Sequence, residues 1–158
     1  MNKIAYLGVL AVPALVLSSC STPEERAVDV VKGYIVSLTK VVEQNNGKDL
    51  AAMVDALDVF LEKVTPELVR EMERVEPSQR LGVLEVVGKS EELKQLLVVL
   101  KNSDFVAMLS SERNKELLSF SYVWKIRNIY SNLSDIGEAM GFSVTGALES
   151  ALDCRLPF

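Results

Sequence analysis

The chain has 158 residues, with 22 acidic against 17 basic side chains and a net charge of −5. That balance disfavours a nucleic acid partner. Histidine is absent and only two cysteines occur, so Glu-x-x-His di-metal sites, histidine-based zinc sites and Ser-His-Asp triads have no ligands or base to be built from.

Taken from the amino terminus, Lys3 is followed by an uncharged apolar run from Ile4 to Leu17, interrupted by Pro13. Fourteen residues at about 1.5 Å each reach roughly 21 Å, short of the roughly 30 Å hydrocarbon core of a bilayer. The run therefore reads as an export leader, and no later segment is apolar for long enough to span. It closes on Leu17-Ser18-Ser19-Cys20, which resembles the lipobox of bacterial lipoproteins at every position.

That resemblance covers residues 1–20 only. It implies that Leu17, Ser18 and Ser19 are read by the signal peptidase, that the Cys20 sulfur takes a diacylglyceryl group, and that cleavage leaves Cys20 as the first residue. Palmitate-type chains then hold the protein to a membrane, because two or more acyl chains make attachment durable where one does not. Ser21 in place of an aspartate resembles an outer-membrane sorting signal, if the cell has two membranes. Removal of residues 1–19 takes away one lysine and no acid, leaving 16 basic against 22 acidic side chains. The lipid, not electrostatics, must then supply the membrane affinity. With Cys20 acylated, Cys154 has no intramolecular partner and reads as a small apolar packing residue.

The tether, residues 20–22, is minimal. Thr22-Pro23-Glu24-Glu25 is a helix start, with threonine as the cap, proline at the first position and Glu25 where a capping box needs its acid. Val28, Val31, Ile35, Leu38 and Val42 make one stripe, which Asn45-Asn46-Gly47 ends. A second helix is predicted from Lys48 or Asp49 to Val64, with Leu50, Val54, Leu57 and Leu61 inward. Thr65-Pro66-Glu67 repeats the start chemistry, so a separate helix is predicted from Pro66 to Val75.

Glu67, Glu71, Glu73 and Glu76 alternate with Arg70 and Arg74 at helical spacing, which describes a solvated, salt-bridged face better than an acid/base pair. Helices are predicted at 78–87 and 91–101. Val83, Val86, Val87, Val98 and Val99 favour strand, but the spacing of Leu81, Leu84 and Gly88, and of Leu93, Leu97 and Leu100, is helical. A loop or short turn around Phe105 and Met108 precedes a long helix at 113–140. Its predicted inward face is Val123, Ile126, Tyr130, Leu133, Ile136 and Met140, with Gly141 as its stop. A last helix covers 144–153.

The expected architecture is all-α: an antiparallel bundle of about five to seven helices forming a single domain over 23–158. Within it, Trp124, Arg127 and Tyr130 stand out as a candidate partner surface, because tryptophan, tyrosine and arginine are the types enriched at binding hot spots. Helix-core aromatics beside an extended arginine stem would give the same pattern. No catalytic residue, metal ligand or cofactor is assigned. The expected function is a lipid-anchored envelope protein that binds a protein partner or acts structurally, the alternatives being a carrier of an apolar ligand between helices or an enzyme.

Overall fold

A computed structural model of the chain describes residues 21–103 and 120–153. Leu17, Ser18, Ser19, Cys20, the Phe105–Met108 turn, the first part of the predicted 113–140 helix and Cys154 lie outside the described residues. Among those described there are six helices and no strand: α1 (Pro23–Asn45), α2 (Leu50–Glu73), α3 (Arg80–Gly88), α4 (Glu91–Asn102), α5 (Phe120–Met140) and α6 (Val144–Leu152).

Local chemistry sets most of the boundaries. The Thr22 hydroxyl accepts from the Glu25 amide at 3.2 Å while the Glu25 carboxylate accepts from the Thr22 amide at 3.0 Å, a complete capping box. Asp49 caps α2 through the Ala52 amide at 2.8 Å, and Ser90 caps α4 through the Leu93 amide at 3.2 Å. Gly47 turns the chain after α1 at φ +77°, where a side chain would be strained.

Pro66 does not start a new helix. It lies inside α2, which runs unbroken for 24 residues. Pro66 is exposed, whereas Leu57, Leu61, Val64, Leu68 and Met72 on the inward face are all buried. A helix break would interrupt that stripe, and burying five such side chains at about 1.5–3 kcal/mol each outweighs the roughly 3 kcal/mol cost of an internal proline.

The valine-rich stretches are helical, but the inward positions of α3 are Val83 and Val87, while Leu81 faces solvent. Glu71 also departs from a fully solvated face. It is buried, with the Arg74 guanidinium bonded to it and Arg70 Nε 3.7 Å away. Glu67 instead accepts from the Tyr34 hydroxyl of α1.

The helices pack around two apolar centres. One joins Ala27 and Val31 of α1, Leu68 and Met72 of α2, Val83 and Val87 of α3, and Ile136 to Met140 of α5. The other joins Val42, Met53, Leu57, Leu96, Leu100 and Leu152. Ile129 and Ile35 pack against both. α1 and α2 form an antiparallel hairpin. α5 lies along α2 in the same direction, since Lys125 pairs with Asp55 and Asn128 with Asp58 at one constant separation of 70 residues.

Candidate functional site

The two polar pairs between α2 and α5 organise the surface that carries Trp124. Asp55 and Asp58 are one turn apart on α2, as are Lys125 and Asn128 on α5, so two matched rungs form when the helices lie side by side. Asp58 is only 5% exposed, and it accepts from the Asn128 amide at 3.0 Å. Lys125 bonds to Asp55, and that bond, partly opposed by desolvation, raises its pKa above the ordinary lysine value. Its ammonium also sits 5.3 Å from the Tyr122 ring centre and 5.5 Å from that of Trp124, within cation–π range. The lysine therefore sits between both rings and Asp55 of α2.

Trp124 is 57% exposed and Arg127 is also exposed. Val123 next to them and Val59, one turn beyond Asp55 on α2, are exposed apolar side chains. Val123 had an inward position in the sequence pattern. Instead Ile129 takes the central inward place, touching both apolar centres.

Tyr130 is not part of this surface. It is half-buried and lines a cleft between α5 and α6. Burial, and then the nearby Glu149 carboxylate, raise its hydroxyl pKa. Trp124 and Arg127 are thus both exposed, whereas Tyr130, one turn beyond Arg127, is half-buried at the cleft.

The polar rungs Asp55–Lys125 and Asp58–Asn128 were not identified from the sequence. Their signal is an acid pair and a Lys/Asn pair at equal spacing, but nothing local says that segments 70 residues apart meet.

The surface lies at the opposite end of α1 from its cap, Thr22. The separation of 70 sets Trp124 level with Val54, and Met53 shares an apolar centre with Val42 of α1. From Thr22 to Val42 along α1 is about 30 Å at 1.5 Å per residue. Among the described residues no helix is long and apolar enough to cross a membrane. No group of three or more His, Cys, Asp or Glu that could hold a metal occurs among them either.

Comparison with known proteins gives no match to a family model, to a curated protein or to a solved structure.

Proposed function

We propose that this chain is a lipid-anchored protein of the bacterial cell envelope whose helical domain binds a protein partner through the exposed Trp124–Arg127 surface. The observation that carries the reading is the sequence Leu17-Ser18-Ser19-Cys20 after an uncharged apolar run. Two further features support it. The capping box at Thr22 begins the fold two residues after Cys20, so a lipid there would hold the domain by a rigid helix end. The Trp124 surface, about 30 Å along the bundle from that end, would then project away from the membrane towards a partner.

Ser21 supports the outer membrane as the destination in a cell with two membranes. In this role the chain needs no catalytic chemistry, no cofactor and no nucleic acid partner.

Metabolic labelling with palmitate tests the anchor. The wild-type chain should carry label, and Cys20→Ala should lose it and accumulate as an uncleaved precursor. Label retained on Cys20→Ala, or none on the wild type, refutes the lipidation of Cys20.

A further inference from the structure

The cleft at the α5–α6 corner has a volume of about 590 Å³, within the range of ligand sites. It takes no part in the Trp124 surface. Tyr130, Ser134 and Glu138 line it at one-turn spacing along about 12 Å of α5, and Phe142 continues the lining past the end of the helix. Two aromatic rings thus stand at the ends of a row with polar groups between them. Gly137 and Gly141 leave part of the lining without side chains, so a flat ligand can come close to the backbone.

The lining side chains decide which class of ligand fits. Among the described residues neither the Glu138 carboxylate nor the Ser134 hydroxyl has a hydrogen bond or ion pair. A wholly apolar occupant would strip water from that carboxylate and offer it no donor, which is costly. No lining residue is basic, and Arg127 stands seven residues, about 10 Å along α5, before Ser134. An anion would therefore meet Glu138 with no cation in the cleft to offset it. A simple cation would pair with Glu138 but brings only donors, and leaves the hydrogens of the Ser134 and Thr145 hydroxyls unused.

Sugar hydroxyls both donate and accept. Neighbouring hydroxyls of one ring can donate to the two oxygens of Glu138, while others accept from Ser134 and Thr145. A ring whose hydroxyls are all equatorial has flat, apolar C–H faces, which suit the aromatic rings at the ends of the row. Phe142 is 38% exposed, so a sugar ring laid on it would cover apolar surface that the fold leaves open.

We propose that the cleft binds a neutral sugar chain with equatorial hydroxyls, held by the Glu138 carboxylate and stacked on Phe142. The row along α5 is longer than one six-membered ring, which favours linked rings over a single sugar. This reading rests on the cleft alone and holds whether or not Cys20 carries a lipid.

The test uses the whole chain in a detergent that has no sugar headgroup. The probes are cellotriose and chitotriose, neutral and equatorial throughout, the glucosamine trimer, which puts an ammonium on the same backbone, and hexanol. Saturation-transfer NMR reads each of them. At least one neutral trimer should bind saturably, and about tenfold more weakly to Glu138→Ala and to Phe142→Ala. Glu138 is exposed and alanine favours a helix, so the first variant keeps its fold. Phe142 closes the corner through its backbone amide, and thermal melting checks that the second variant keeps its fold too.

A neutral trimer that binds both variants with wild-type affinity binds elsewhere, and overturns the site. No saturable binding of either neutral trimer overturns the sugar reading; binding of the glucosamine trimer alone would then make the cleft a cation site, and binding of hexanol alone an apolar one. None of these results bears on the anchor, which palmitate labelling reads separately.

Discussion

Gly137 is where a single methyl group would change the α5–α6 corner. The Gly141 and Phe142 amides turn back to bond the Gly137 carbonyl at 2.8 and 3.0 Å, with Gly141 at φ +79°, the closure that ends a helix in a left-handed residue. This brings the Phe142 carbonyl oxygen to 2.6 Å from where a Cβ on Gly137 would stand. Overpacking of that kind costs about 1–3 kcal/mol, less about 1 kcal/mol of helix propensity gained. Gly137→Ala should therefore destabilise the fold by up to about 2 kcal/mol. Gly33 is exposed within α1 and a Cβ there meets nothing within 4 Å, so Gly33→Ala should stabilise by about 0.5–1 kcal/mol. Thermal melting of the two variants should give shifts of opposite sign. The exposure of Trp124 likewise fixes what its removal does: Trp124→Ala should leave the melting temperature nearly unchanged and weaken partner capture by about 2 kcal/mol or more. A large drop in melting temperature would mean that Trp124 serves packing. Trp124 and Arg127, three residues apart, are both exposed, whereas Tyr130, six residues beyond Trp124, lies about 120° around the helix from it and lines the cleft.

At the scale of elements, the starts of α1, α2 and α4 were legible because their caps bond within three residues of themselves. The continuity of α2 through Pro66 was not, because it is decided by an inward stripe whose partners come from other helices. The bonds that join helices also set a limit at high pH. Burial, then the bond to Glu67, holds the Tyr34 hydroxyl well above the ordinary tyrosine value, and the bond to Asp55 raises Lys125. A group whose pKa is raised by folding adds stability that is full below its unfolded value and is lost as pH rises through the folded one. Stability should thus not fall on account of these groups from neutral pH to about 10, the unfolded values being about 10 for tyrosine and 10.4 for lysine, and should then decline. Tyr34→Phe should flatten the first part of that decline in denaturant titrations at stepped pH; an unchanged slope would remove Tyr34 from the account.

For the molecule as a whole, the all-helical class was legible from stripes and caps, and the direction of α5 was not. Helical periodicity says which face of a helix is apolar but not which neighbour it meets or which way that neighbour runs. The parallel alignment of α2 with α5 across 70 residues has a kinetic consequence. α1 and α2 are joined by a tight turn at Gly47 and can dock early, but the α2–α5 rungs must wait for closure of a long loop through α3 and α4, whose entropy is lost before any contact repays it. Contacts that form after the rate-limiting barrier affect the escape from the native state and leave the approach to it untouched. Asp58→Ala strands the Asn128 amide and should cost about 1–2 kcal/mol. That loss should appear in stopped-flow experiments as unfolding about 5–30-fold faster with an unaltered refolding limb. Refolding slowed by the same factor would instead place the α2–α5 rungs in the folding nucleus, and the long loop would close before the barrier.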